Sequence, residues 1–116
     1  MKSQSLKTLR NKCDKLLTPL IIKLFPRCLL CSRPTQVAHH HIHRSKSSRL
    51  RYELDNLINL CHACHLTLHH NESYWASKII NIKGLEWFKK LDIMKEEYVK
   101  VDRFFYINNY DRLSNL

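Results

Sequence analysis

The sequence predicts a small α+β domain in which a metal-binding β-hairpin and helix lie between helical segments. Three observations predict this fold. Two CxxC pairs, beginning at Cys28 and at Cys61, have the spacing that lets two thiolates reach one metal ion. All eight histidines lie within residues 39–70. Before and after this segment, apolar residues recur at steps of three and four, as they do along one face of a helix.

The chain is short enough to form a single domain. Its 116 residues, 44% of them hydrophobic, do not suffice for two independent cores. We divide this domain into an N-terminal helical segment (1–27), a metal-binding core (28–70) and C-terminal helices (71–116). A metal ion that ties distant segments together would supply stability that so small a core lacks.

The charge balance indicates a polyanionic partner. The chain carries 20 Lys and Arg against 10 Asp and Glu, a net charge of +10, spread along its length. Such a charge suits nucleic acid but does not specify it, so a specific functional assignment depends on the metal site. The apolar run 16–25 is too short to span a bilayer and contains Lys23. We therefore expect a cytosolic protein with no membrane partner.

The first predicted element is an amphipathic helix over residues 5–24. Pro19 is tolerated best in the first turn of a helix, so Thr18 is a candidate cap for a second short helix after a break. Cys13 lies on the apolar stripe, and we interpret it as a core residue rather than a fifth metal ligand.

The central segment predicts a hairpin followed by a helix. Residues 35–43 alternate as a strand does, residues 45–48 form a loop, and residues 50–54 are the candidate return strand. Cys61 then opens a helix. Because the chain contains one glycine, we expect a longer connection rather than a tight two-residue turn.

Two further stripes predict helices after the core. Trp75, Ile79 and Ile82 form one stripe, which Gly84 can end. A second stripe predicts one last helix and comprises Leu91, Met94, Tyr98, Val101 and Phe105. We interpret both stripes as packing surfaces.

The cysteine pairs are candidate ligands of a structural zinc ion, because a two-residue knuckle brings both sulfurs to one tetrahedral ion. The proposed ligands are Cys28, Cys31, Cys61 and Cys64. Disulfides are the alternative, but they suit secreted proteins and would leave the clustered histidines unexplained.

A second candidate metal site consists of imidazoles. His65 and His69 stand one turn apart on the same face of the predicted helix. A third ligand must come from the histidine run in the strand. Counting in twos from Ile42, which should face the core, selects His40. A register shifted by one residue, with His39 as ligand and His40 as the neighbouring free base, is the alternative.

Three imidazoles leave positions open on a metal ion for water and a phosphate oxygen, as a catalytic site requires. Such a site can hydrolyse phosphodiesters if a free imidazole removes a proton from the attacking water. His41 is the expected base, beside the metal but not bound to it.

The order of these short motifs resembles the HNH endonucleases, whose ββα-metal core is a hairpin and a helix around one divalent ion. The matching residues run from Cys28 to His69 and comprise the two CxxC pairs, His40-His41-Ile42, Asn56-Leu57 and Leu60-Cys61-x-x-Cys64-His65.

The resemblance implies a role for each matching residue. In that family the first histidine of the pair binds metal and the second is the general base, which assigns these roles to His40 and His41. The family asparagine holds the hairpin loop so that the base is aimed, and Asn56 matches it. His65 and His69 would complete the site. Three imidazoles suit Mn²⁺, Ni²⁺, Co²⁺ or Zn²⁺ better than Mg²⁺, which prefers oxygen ligands.

A looser resemblance extends to phage recombination endonucleases of the Rap (NinG) type. It depends on residues 9–17 before the first knuckle and residues 43–46 after the histidine run. It implies a bacterial or phage-infected cell as the setting and branched DNA as the substrate.

Several alternatives remain open. The cysteine frame is also compatible with a noncatalytic zinc ribbon that only binds nucleic acid. Candidate phosphate contacts flank the hairpin and are Arg44, Lys46, Arg49 and Arg51, although each could be part of a solvated basic loop. The aromatic residues 104–106 could form a homodimer interface or close the core.

Overall fold

The computed structural model describes residues 4–116, which form five α-helices and a two-stranded antiparallel sheet, an α+β arrangement as predicted. The elements in chain order are α1 (Leu6–Leu24), β1 (Val37–His40), β2 (Leu57–Leu60), α2 (His62–His70), α3 (Glu72–Lys83), α4 (Leu85–Met94) and α5 (Arg103–Ser114). A short 3₁₀ turn, Leu54–Asn56, leads into β2.

Helix α1 begins at a side-chain cap and continues through its proline. The Ser5 hydroxyl accepts a hydrogen bond from the backbone N–H of Thr8 at 3.1 Å, which satisfies one of the free donors of the first turn. The helix does not break at Pro19, so the predicted second helix is wrong. Its apolar stripe, including the buried Cys13, packs mainly against α5.

The sheet pairs β1 with β2, and Val37 lies opposite Leu60 while His40 lies opposite Leu57. The return strand is therefore not residues 50–54, where the chain forms turns and enters the 3₁₀ segment. The prediction failed there because Leu50 and Tyr52 are buried by tertiary packing rather than by strand pairing. All four residues of β2 are buried, so this strand lies at the centre of the domain.

Helices α2, α3 and α4 follow one another with short connections. Cys61 caps α2, as predicted for the residue that opens this helix. Gly84 ends α3 with a φ of 102°, a conformation that a residue with a side chain rarely adopts.

The last predicted stripe is divided between two helices. The chain leaves α4 at Met94 and enters α5 at Arg103, and Asp102 caps α5 by accepting from the N–H of Phe105 at 3.0 Å. Of the aromatic residues 104–106, Tyr106 is buried in the core against α1, whereas Phe104 is exposed. Within residues 4–116, no helix combines the length and the apolar character needed to cross a membrane.

Candidate metal centres

The four cysteines of the CxxC pairs lie together. Their sulfur atoms are within 4.8 Å of one another, close enough to hold one metal ion, and Cys31 Sγ lies 3.5 Å from Cys61 Sγ. The group joins the knuckle before β1 to the first turn of α2. The two-residue spacing predicted this grouping.

Local backbone geometry forms the first knuckle. The N–H of Cys28 donates to the carbonyl of Arg33 at 2.6 Å, and the N–H of Ser32 donates to the carbonyl of Cys28 at 3.0 Å. Ser32 takes a φ of 64°, in the left-handed region, which turns the chain back. The second knuckle is a helix start, where the N–H of Cys64 donates to Cys61 Sγ at 3.4 Å and lowers the pKa of that thiol. A thiolate is the form that binds a metal ion.

Three imidazoles form a second cluster between β1 and α2. His39, His65 and His69 each offer a nitrogen, and these atoms lie within 4.8 Å of one another. The Nε2 atoms of His65 and His69 are 3.0 Å apart, which is the consequence of placing two histidines one helical turn apart.

Glu72 orients one of these imidazoles. Its carboxylate accepts a hydrogen bond from Nδ1 of His69 at 3.2 Å, which leaves the Nε2 lone pair of His69 directed toward His65. A carboxylate behind a histidine is a common partner of metal-ligating imidazoles, because it fixes the tautomer. Sequence reasoning missed Glu72, although its position three residues after His69 was a usable signal.

The strand face predicted for the histidine run is wrong. The structure brings His39, and not His40, to the pair on α2. Strand β1 ends at His40 and the chain bends at residues 41 and 42. Alternation therefore does not continue to Ile42, and counting in twos from it selects the wrong residue.

His39 is suited to metal binding by its environment. It is only 8% exposed and pairs with Ile58 in the sheet. Burial, followed by the neighbouring imidazoles of His65 and His69, lowers the pKa of His39 to about 3. The imidazole therefore stays neutral, as a metal ligand must be.

His40 lines the same groove as the imidazole cluster, a depression of about 480 Å³ between α1 and α2. Its Nε2 lies 2.9 Å from the carbonyl oxygen of Arg51 and must donate to it, because a carbonyl only accepts. Nδ1 of His40 is therefore the unprotonated nitrogen. Burial lowers the pKa of His40, although the bond to Arg51 opposes this effect.

His41, the expected base, lies elsewhere. Its ring packs against Trp87 with 4.8 Å between centroids and lies 6.1 Å from Phe88. It lines a separate groove against α4. That groove shares His43 with the groove of the imidazole cluster, but His41 itself lines only the one against α4.

Asn56 closes the loop that follows β1. It is fully buried; its Oδ1 accepts from the N–H of Ile42 at 2.8 Å, and its Nδ2 donates to the carbonyl of Ile42 at 2.9 Å. The same amide reaches the carbonyl of Leu50 at 3.3 Å. Asn56 thus joins the two ends of the long connection between β1 and β2.

The four basic candidates are not equivalent. Arg44 is 59% exposed, lines the groove beside His40 and lies 3.8 Å from the Asp14 carboxylate, and Lys46 is exposed near the separate groove. Arg51 instead makes two hydrogen bonds to Asp14, at 3.0 and 2.6 Å.

Arg49 is also occupied, since it pairs with Glu53 at 3.2 Å and with Glu97 at 3.5 Å. Arg49 and Arg51 therefore hold the fold together and do not present free guanidinium groups. Spacing along the sequence does not show which acid a basic residue meets.

No family model, curated protein or solved structure matches this chain. A proposal for its function therefore depends on the geometry of its own residues.

Proposed function

We propose that this protein is a metal-dependent HNH-type endonuclease that hydrolyses phosphodiester bonds in DNA. The observation that carries the proposal is the placement of His40. A neutral imidazole, held by a backbone carbonyl, shares one groove with three imidazoles that can bind a metal ion.

His39, His65 and His69 are the proposed ligands of the catalytic ion. All three offer nitrogen, which favours Mn²⁺, Ni²⁺, Co²⁺ or Zn²⁺ over Mg²⁺. A divalent ion there would stabilise negative charge on the scissile phosphate and on the leaving oxygen. This set replaces His40 with His39 in the assignment drawn from the resemblance, and it follows the alternative register.

His40 is the proposed general base. The carbonyl of Arg51 holds the proton on Nε2, so the lone pair on Nδ1 is free to take a proton from the attacking water. Because burial lowers its pKa, His40 is neutral near pH 7 and ready to accept that proton.

The four cysteines are the proposed ligands of a structural zinc ion, which would hold the start of α2 against the knuckle before β1. The role of this ion is to fix the helix that carries His65 and His69.

DNA is the proposed substrate because the chain has a net charge of +10 and Arg44 stands at the groove. Contacts to phosphates position a duplex without reading its sequence, so we expect recognition of DNA structure, with branched DNA as the preferred form. The setting is the cytoplasm of a bacterial or phage-infected cell.

The test is cleavage of supercoiled plasmid and of a four-way DNA junction by the purified protein, with EDTA or with added Mn²⁺, Ni²⁺, Co²⁺ or Zn²⁺. We expect cleavage that requires the metal and is lost in His39→Ala. His62→Ala is the matched control, because His62 is exposed on the same helix outside the cluster. Protein that binds DNA but does not cut it with any of the four transition ions would support the noncatalytic zinc-ribbon module instead.

A further inference from the structure

We propose that Asp14 of α1 is a positioning residue for His40, and that it acts through Arg51. The proposal rests on the proposed function for its catalytic meaning, but the contact that it describes can be measured without catalysis. Asp14 is the only acidic residue in α1. It also lines the groove that contains the imidazole cluster.

Asp14 holds the Arg51 side chain in a fixed orientation. Its Oδ1 accepts from Nε of Arg51 at 3.0 Å and its Oδ2 accepts from Nη2 at 2.6 Å, the two-bond geometry of the strongest guanidinium–carboxylate pairs. Both side chains are mostly buried, with 22% of Asp14 and 17% of Arg51 exposed. Dissolved salt screens the attraction within such a partly buried pair less than it screens a surface ion pair.

The next residue is held by the same carboxylate. The hydroxyl of Tyr52 donates to Oδ1 of Asp14 at 2.8 Å, and the Tyr52 ring is buried in the core. On the other side, Nη2 of Arg112 donates to the carbonyl of Tyr52 at 2.7 Å. The backbone at Arg51 is therefore fixed through its own side chain and through its neighbour.

The Arg51 carbonyl is the group that holds His40. Its oxygen accepts from Nε2 of His40 at 2.9 Å. The chain turns at this point without a strand partner, and its local backbone bond is long, from the Arg51 N–H to the Ser48 carbonyl at 3.3 Å, so the side-chain contacts of Arg51 and Tyr52 add to a weak restraint. A shift of this carbonyl would rotate the imidazole and misdirect Nδ1. Misplacing a catalytic group by about 1 Å can cost a hundredfold in rate.

The charge of Asp14 suggests a competing role, repulsion of DNA, which predicts a different effect on the cleavage rate. An acidic side chain in a groove that receives phosphates should weaken DNA binding, since like charges repel. If repulsion were its main effect, replacing Asp14 with a neutral residue would strengthen binding and maintain or raise the cleavage rate. Positioning predicts the opposite effect on rate, because His40 would lose its orientation while DNA binding stayed the same or improved.

The experiment compares the full-length, zinc-loaded wild type with Asp14→Asn and Arg51→Lys. Asparagine cannot accept both guanidinium bonds, and lysine cannot make two parallel bonds. Asp92→Asn is the matched control, since Asp92 is an exposed helical acid that pairs with Lys95 at 2.7 Å. Retained zinc and an unchanged circular dichroism spectrum establish folding before any comparison.

In the cleavage assay we expect kcat to fall about tenfold or more in both variants while KM changes less than about twofold. The double variant should be no slower than the slower single variant, because both substitutions break one connection. Wild-type kcat in a folded Asp14→Asn protein would overturn the proposal.

The second readout is the Nε2–H resonance of His40 in ¹⁵N-histidine-labelled protein, assigned by its absence in His40→Ala. We expect a signal protected from exchange in the wild type and in Asp92→Asn, and broadened beyond detection in Asp14→Asn. An unchanged signal in Asp14→Asn overturns the proposal whether or not the protein cuts DNA. A wild type without cleavage but with this loss of signal would refute the proposed function and support the positioning contact.

Discussion

The side-chain amide of Asn56 makes two hydrogen bonds to the Ile42 backbone, as a neighbouring strand would: it accepts from the N–H at 2.8 Å and donates to the carbonyl at 2.9 Å. The two residues stand at opposite ends of the connection between β1 and β2. Together with the backbone bond from the His41 N–H to the Asn56 carbonyl at 2.9 Å, this pair of bonds stabilises the bend at residues 41 and 42, where β1 has ended.

We therefore expect Asn56→Ala to lower the free energy of unfolding by about 2–3 kcal/mol, since buried backbone groups of Ile42 would lose their partner. Asn56→Asp should also destabilise, because a carboxylate accepts from the Ile42 N–H but does not donate to its carbonyl. Urea unfolding of the zinc-loaded protein measures both. Asn11→Ala, an exposed site on α1, is the control. Equal midpoints for Asn56→Ala and Asn11→Ala would contradict this role.

The two histidines at the end of β1 should differ in their effect on cleavage. His40→Ala should lower the rate about a hundredfold or more, as expected for loss of a general base, while leaving Mn²⁺ binding unchanged. His41→Ala should keep most of the rate and mainly lose packing against Trp87. Single-turnover cleavage together with Mn²⁺ titration checks this. The reverse order of rates would restore His41 as the base.

Removal of one cysteine ligand should unfold the domain. Cys61→Ser takes away both a sulfur of the four-cysteine group and the cap of α2, so we expect loss of bound zinc and of most helical signal. Cys13→Ala is the comparison, because Cys13 is buried in the α1 core outside that group. Zinc content and circular dichroism report the result. A folded, zinc-loaded Cys61→Ser protein would exclude the cysteine site as a structural requirement.

Arg44 and Arg49 should contribute unequally to DNA binding. Arg44 is 59% exposed at the groove and makes one long contact, to Asp14 at 3.8 Å, whereas Arg49 is 29% exposed and pairs with two glutamates. In EDTA, Arg44→Ala should weaken binding and reduce the slope of log affinity against log salt by about one. Arg49→Ala should leave the slope unchanged and instead lower stability. Fluorescence anisotropy with a junction at several salt concentrations measures the slope, and identical slopes for the two variants would remove Arg44 from the binding surface.

The Asp14 pair should make stability depend on pH in acid. Burial alone would raise the pKa of Asp14, but hydrogen bonds from Arg51 and Tyr52 outweigh it and lower the pKa. A depressed pKa in the folded state stabilises the protein above the unfolded value of about 3.9. That contribution is lost as the pH falls through the folded pKa. The stability difference between wild type and Asp14→Asn should therefore be constant from about pH 5 to 7 and shrink below about pH 4, as urea unfolding at each pH would test. A difference that grows in acid would contradict this sign.

Local patterns predicted α1, α2 and α3 because the signals of these helices are local, whereas the last stripe, predicted as one helix, is divided between α4 and α5. The stripe of α1, the start of α2 at Cys61 and the end of α3 at Gly84 each depend on spacing or on one special residue. The CxxC spacing likewise predicted that the four cysteines would lie together. The predicted helix break at Pro19 does not occur, because the packing of α1 against α5 outweighs the cost of the missing backbone hydrogen bond.

Several of the failures concern contacts made across the fold. Strand β2 begins later than predicted because tertiary packing buries Leu50 and Tyr52 without strand pairing. The structure groups His39, rather than His40, with His65 and His69, because β1 ends at His40 and its alternation does not extend to Ile42. Periodicity could not predict the Asp14–Arg51 pair, because the two residues are far apart in sequence. Their opposite charges do not show which acid meets which base.

Helix α2 carries members of both side-chain clusters within its first two turns and its cap: Cys61, Cys64, His65 and His69. Under the proposed assignments, loading of the two ions is ordered in time. An isolated helix of nine residues is unstable in water, so the histidine pair does not exist as a ligand pair until the cysteines have closed around zinc. A freshly synthesised chain whose cysteines have not yet bound zinc would therefore be unable to cut DNA, whatever the supply of the ion for the histidines.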